Sequence, residues 1–188
     1  MAVAPRPAER LTAAEYFASS PEQHYIELID GEIVVNEPNI RHNRIGGELY
    51  RLIRNWCEAG EGRGDAGTPA DFHLDEFNVF APDVWWVREE RRPARDAVRL
   101  VGPPDLAVEV RSPSTWRFAV GTKKRIYEAT GLPELWLVDT KADAVLVYRR
   151  SSPESPVFDV ELELAAGEQL TTPLLPGLSI DLTELFDR

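Results

Sequence analysis

The chain has 188 residues, with 21 Lys and Arg against 32 Asp and Glu and a formal net charge of −11. That length suits one domain with a proper core and is short for two, and the charge excludes a protein that grips nucleic acid with its whole surface. The single cysteine, Cys57, excludes an internal disulfide framework and suits a reducing compartment. The opening stretch MAVAPRPAERLTAAEYF has no signal-peptide core, and no run approaches the roughly 20 apolar residues of a membrane span. A soluble cytoplasmic protein without membrane contact is expected.

Residues 1–10, with Pro5 and Pro7, read as a flexible terminus, and 11–188 as a single domain. Thr12 then suits the N-cap of a short helix, with Glu15 completing a capping box. YIELID and EIVVNE follow as strands joined at Asp30-Gly31, the strongest short signal for a tight hairpin. From Ile40 to Ala59, Ile45, Leu49, Leu52, Ile53 and Trp56 recur at helical spacing, and glycines from Gly60 onward end the run. Strands are expected near 68–74, in VFAPDVWWV and in DLAVEV, with the charged REERRPARDAVRLVG as an exposed hairpin turn between the last two. A helix ending near Gly131 comes next, with Thr122 as a candidate N-cap. ELWLVD, AVLVYRR and VFDVELEL read as strands, Pro173 to Asp181 as a closing strand or loop, and Leu182 to Phe186 as a last short helix. This pattern predicts an α/β or α+β domain on a mixed β-sheet flanked by helices, with an N-terminal hairpin and a crossover from DLAVEV to ELWLVD.

Charge is unevenly spread. From Arg88 to Arg125 there are ten Lys and Arg against five Asp and Glu, a local balance of +5, while each flank carries −8. A basic middle of this kind suits a stripe facing a polyanion, and equally a solvated loop.

The strand DLAVEV holds an acid. Alternation puts Leu106, Val108 and Val110 on one face and Asp105, Ala107, Glu109 and Arg111 on the other. A carboxylate inside a sheet is costly unless it is paired or holds a metal. Asp83, after Pro82, lies 26 residues before Glu109, a separation that fits neighbouring strands. Magnesium commonly takes one or two carboxylates and fills its other positions with water and phosphate oxygen, so two converging acids suffice. The hairpin offers Glu32 and Glu27 as further acids, of which Glu32, opening its strand, is preferred. Lys123 on the following helix would place an ammonium near such a site. Without a metal, Asp83 would read as a turn cap and Glu109 as the partner of Arg111 or another cation. His42 is either a contact to substrate phosphate or water, or a capping or surface histidine. His24, His73 and Cys57 show no zinc spacing. Trp85 and Trp86 cannot both face the core of a one-sided strand, so one is expected to be exposed or to fill a subunit interface.

The Asp after proline and the Glu on a following strand resemble the PD-(D/E)xK nuclease superfamily, although Arg111 stands where that motif has lysine. Arginine clamps a phosphate but cannot act as a base. YIELIDGEIVVNEP with His42, APDVWWV, PPDLAVEVRSPST and KKRIYEATGLPELWLVD, in that order, resemble the Uma-type family of restriction endonucleases from about Leu11 to about Tyr148. That family carries its lysine on the helix after the Glu strand, four residues before a tyrosine, which here selects Lys123 with Tyr127. The resemblance implies a restriction-endonuclease-like fold and metal binding by Asp83 and Glu109, with Mg²⁺ or Mn²⁺ as the ion. It further implies a contribution from Glu32 and a catalytic role for Lys123; Arg111, His42 and Tyr127 are candidate contacts to substrate. Nucleic acid, in particular DNA, is the implied partner, and a homodimer the assembly. Two positions depart from the family, Ala119 in place of an acid and Arg111 in place of an apolar residue. An inactive nuclease-like module for binding or assembly is the alternative.

Overall fold

A computed structural model of the chain describes residues 10–19 and 26–187; the expected flexible stretch before Arg10, like His24, lies outside them. Thr12 and Glu15 form the capping box. The Glu15 carboxylate accepts from the Thr12 backbone N–H at 2.9 Å and the Thr12 hydroxyl accepts from the Glu15 N–H at 3.2 Å, starting α1 (Ala13–Ser19). Next come β1 (Ile26–Ile29) and β2 (Glu32–Val35), paired antiparallel through Asp30 and Gly31. Both turn residues have positive φ, 51° and 80°, the primed geometry that matches strand twist. Gly31 has a second reason to be glycine, since a Cβ there would stand 2.7 Å from the Arg10 Cβ.

The long helix is α2 (Ile40–Glu58), capped by the Asn39 side chain, which accepts from the His42 backbone N–H. Its apolar stripe, Ile45, Leu49, Ile53 and Cys57, is buried against the main sheet. The chain continues through β3 (Asp65–Gly67), β4 (Phe72–Asp75), β5 (Asn78–Phe80) and β6 (Val84–Val87). VFAPDVWWV is therefore two strands, because Pro82 cannot donate to a ladder and marks the point where the chain leaves one sheet for the other. After β6, residues expected to form only an exposed turn also supply β7 (Leu100–Val101), which pairs parallel with β4.

Beyond β8 (Leu106–Val110) a helical segment runs from α3 (Trp116–Phe118) through a π-helical stretch, Ala119–Lys123, into α4 (Lys124–Ala129). Thr122 therefore lies inside the helical segment and caps nothing, because the helix begins six residues earlier. β9 (Glu134–Asp139), β10 (Ala144–Arg149), β11 (Val160–Ala165), β12 (Gln169–Thr171), β13 (Ser179–Asp181) and α5 (Leu182–Phe186) complete the fold.

Among the described residues the main sheet has six strands in the order β11-β10-β9-β8-β6-β3, antiparallel except where β8 meets β9. A second sheet has the order β2-β1-β5-β4-β7. Helix α2 covers one face of the main sheet over Val84, Trp86, Leu106, Val108 and Val110; on the other face Ala107 packs with Ile126, Tyr127, Ile29 and Phe80. Cover on both faces corrects the expectation for the tryptophans, since both are buried. Trp86 stacks edge-on against Trp56, and Trp85 against Phe72. No helix among the described residues is long and apolar enough to cross a membrane.

Candidate active site

In the main sheet Val84 pairs with Val108 and Trp86 with Leu106. One further step of the same register sets Asp83, just before β6, opposite Glu109 at the end of the strand pair. Directly opposed residues on one face have Cβ atoms about 4.5–5.5 Å apart. The antiparallel ladder thus converts a separation of 26 residues into proximity. The Asp83 carboxylate is fixed by two donors, the Val110 backbone N–H at 2.7 Å and His42 Nε2 at 3.1 Å. Because Asn39 caps the start of α2, His42 sits in the first turn, where its ring reaches over the sheet to Asp83.

The cation comes from the π-helical stretch. Lys123 is buried, with Nζ 2.5 Å from Glu109 Oε1 and 2.8 and 3.1 Å from the two oxygens of Glu27. Tyr127, one turn on, donates its hydroxyl to Glu109 Oε1 at 2.8 Å. Residues four apart share a helix face, which explains why the lysine and tyrosine act together. π-bulges recur at functional sites, and here the wider turn carries the lysine. Ala119, at the start of that stretch, is buried in the apolar cluster with Ile126 and Tyr127, where a small side chain fits.

The hairpin acid that reaches the site is Glu27, and Glu32 is corrected accordingly. Glu32 lies beside the turn on an edge strand and is exposed, whereas Glu27 lies in β1, between β2 and β5, and is buried. Besides holding Lys123, Glu27 accepts the Ala81 N–H at 2.7 Å, which ties it to the Ala81-Pro82-Asp83 segment. Arg111 also stands apart from the cluster. Its Nη1 donates to both oxygens of Asp139 at 3.0 and 2.8 Å, and the side chain is about a quarter exposed at 27%. Glu109 is thus partnered by Lys123 and Tyr127 rather than by Arg111. The basic stretch from Arg88 is likewise at the wrong end of the sheet. Arg88 and Arg91 bind Asp105, which precedes β8, whereas Asp83 and Glu109 meet at its other end.

Three carboxylates, those of Glu27, Asp83 and Glu109, thus share a buried space with Lys123 and His42. Burial raises the Glu109 carboxyl; Lys123 opposes that shift, the negative charges of Glu27 and Asp83 reinforce it, and the net direction is up. Burial works against the charged Lys123, but Glu109 and Glu27 outweigh it and hold the ammonium protonated. The same contest raises His42: burial disfavours its cation, and the hydrogen bond and charge of Asp83 overcome that cost. Tyr127 is pushed well up by burial and by Glu109. Asp83 and Glu109 are the two carboxylates of this cluster that could hold a divalent ion, whose other positions water and substrate would fill. Among the described residues no group of three His, Cys, Asp or Glu side chains is placed to hold a metal ion.

A cleft of about 420 Å³ is lined by His42 and Asp83 of this cluster, by Asn43, Gly46 and Gly47 of α2 and by Thr68 and Pro69.

The family model Uma2, described as "Putative restriction endonuclease", matches residues 13–183. The chain belongs to this family. Among solved structures it is similar to one described as a putative nuclease belonging to DUF820 from Anabaena variabilis, at 21% identity and a TM-score of 0.79. That alignment covers 94% of this chain and 98% of the other, so the nuclease-like fold is shared over nearly the whole length. No curated protein matches.

Proposed function

We propose that this Uma2 protein is a Mg²⁺- or Mn²⁺-dependent endonuclease that hydrolyses DNA phosphodiester bonds. The observation that carries the reading is the convergence of Asp83 and Glu109 across β6 and β8, with Lys123 held 2.5 Å from Glu109. Asp83 and Glu109 would hold the ion, which when bound polarises the scissile phosphate and lowers the pKa of a water. The remaining steps belong to the chain. Lys123 presents a fixed ammonium to the charge that grows on the phosphate oxygens, and in a buried site such preorganised charge is worth far more than in water. Glu27 and Tyr127 set the positions of Lys123 and Glu109. His42 holds the Asp83 carboxylate in place through Nε2. Arg111, tied to Asp139, supports the strand pair β8–β9 and is not assigned to substrate.

The test is nicking of supercoiled plasmid by the purified chain with Mg²⁺ or Mn²⁺, beside Glu109→Ala and Lys123→Ala. Metal-dependent cutting that both substitutions abolish is expected. A wild-type protein that neither cuts nor binds metal by calorimetry would instead be an inactive module built on the nuclease fold.

A further inference from the structure

Helix α2 contains an unexplained pair of residues. Gly46 and Gly47 occupy its seventh and eighth positions, well inside the helix, where glycine is the worst choice after proline. Internal packing gives no reason for them. A Cβ at Gly46 would make one ordinary contact, 3.9 Å from the Val110 side chain, and a Cβ at Gly47 would meet nothing within 4 Å. Neither has a positive φ. Space for a side chain is therefore present, and the sequence leaves it empty.

The position of that space gives it meaning. Gly46 and Gly47 line the same cleft as Asp83 and His42. Asn43, four residues before Gly47, lies on the same helix face, and Arg44, three before it, borders that face. Arg44 is exposed and makes no ion pair or hydrogen bond among the described residues, unlike Arg41, which is bound to Asp143, and Arg51, which is bound to Glu48. A bare stretch of helix beside an unengaged guanidinium, leading to the Asp83 carboxylate and the site behind it, is complementary to a sugar–phosphate backbone whose charge a bound cation would meet. Any side chain at position 47 would occupy the room through which that backbone reaches Asp83.

We infer that the Asn43–Gly47 face of α2 is the seat of the DNA strand being cut, with Gly47 admitting the sugar–phosphate backbone against the helix and Arg44 pairing with a neighbouring phosphate. This rests on the nuclease reading and deepens it. The seat makes an unusual prediction, because the glycine that hurts the helix helps the reaction: replacing it improves the fold and damages function.

The experiment uses the full chain and two substitutions, Gly47→Leu and Arg44→Ala, with plasmid cutting, binding of a labelled DNA duplex and thermal melting read in parallel. Gly47→Leu is expected to melt at or above the wild-type temperature while kcat/KM falls roughly a hundredfold, the scale of loss when a reacting group is displaced by about 1 Å. Arg44→Ala should weaken DNA binding and lower the slope of log K against log salt by about one. Wild-type cutting that is abolished by Asp83→Ala and left intact by Gly47→Leu would overturn the inference alone. A wild type that neither cuts nor binds DNA would remove the nuclease reading and this inference with it. Should Gly47→Leu melt early, Gly47→Ala decides: raised melting with reduced cutting supports the seat, and undiminished cutting overturns it.

Discussion

Replacing Lys123 by methionine, which keeps most of its length and removes its charge, tests the electrostatic account of the site. In the native chain Nζ satisfies both oxygens of Glu27 and one of Glu109, all three side chains being buried. Without the ammonium, Glu27 keeps only the Ala81 N–H and Glu109 only the Tyr127 hydroxyl. Removing one partner of a buried ion pair costs about 3–5 kcal/mol, and here one of the two stranded acids can escape by taking up a proton. Glu109 is the candidate, because burial already raises its pKa and the remaining negative charges raise it further. The sign follows from linkage. An acid whose folded pKa lies above its unfolded value binds more protons in the native state, so its stability contribution falls as pH rises. Because Glu109 already stands at about 8 in the wild type, both proteins lose stability alike below that pH, so the loss in Lys123→Met should be level from pH 5 to about 8 and grow above it by up to about 1.4 kcal/mol per pH unit. Urea denaturation at a series of pH values between 5 and 9, with wild type alongside, reads this directly. A variant that loses under 1 kcal/mol with no pH trend would refute the buried Lys123–Glu27–Glu109 arrangement.

Further expectations concern neighbouring residues. Glu27→Ala should destabilise the chain by about 3 kcal/mol, because it removes one of the two carboxylates that hold the buried Lys123 and leaves the Ala81 N–H without its acceptor, whereas Glu32→Ala should stay within about 0.5 kcal/mol in the same denaturation assay. Saturating Mg²⁺ or Mn²⁺, at about a hundred times its dissociation constant, should stabilise the wild type by about 2.7 kcal/mol. Asp83→Asn, which retains an oxygen for the Val110 N–H, should remove that response without unfolding the chain. Arg111→Ala should cost about 1 kcal/mol or less, since its pair with Asp139 is partly exposed, and should leave cutting intact; a loss of cutting on the scale of Lys123→Ala would return Arg111 to the substrate.

Local sequence carried much of the fold. The Asp30-Gly31 turn, the Thr12 capping box and the stripe of α2 depend on residues a few positions apart, and each is found where its pattern places it. Facts that depend on which strand lies beside which were not legible. Glu27 and Glu32 have the same chemistry in the same hairpin, and what separates them is that β5 covers β1 while β2 remains an edge. Nothing local to Trp85 and Trp86 says that their strand is covered on both faces; the second sheet, with Phe72 against Trp85, does so. Thr122 has the chemistry of an N-cap, but it and Gly121 both lie within a π-helical stretch, which residue type alone does not reveal.

The placement of the lysine illustrates how topology redistributes a motif. The second position after Glu109 in the sheet is governed by register: Glu109 pairs with Leu137 and Val110 with Val138, so the next step sets Arg111 beside Asp139. A cation there has a carboxylate waiting on the neighbouring strand and is drawn to the partly solvated end of the sheet, away from Glu109. The buried acid must be neutralised from another direction, and the layer covering that face of β8 is the helical segment after it. A regular α-helix and a π-helical turn aim the same residue differently, because one extra residue per turn rotates everything after it. The stretch from Ala119 to Lys123 supplies that rotation, bringing Lys123 and Tyr127 inward together while the charged Lys124 and Arg125 face outward, to Glu161 and Asp30. Arginine at 111 and lysine at 123 are thus two halves of one arrangement, in which the strand position fastens the sheet and the helix position serves the acids.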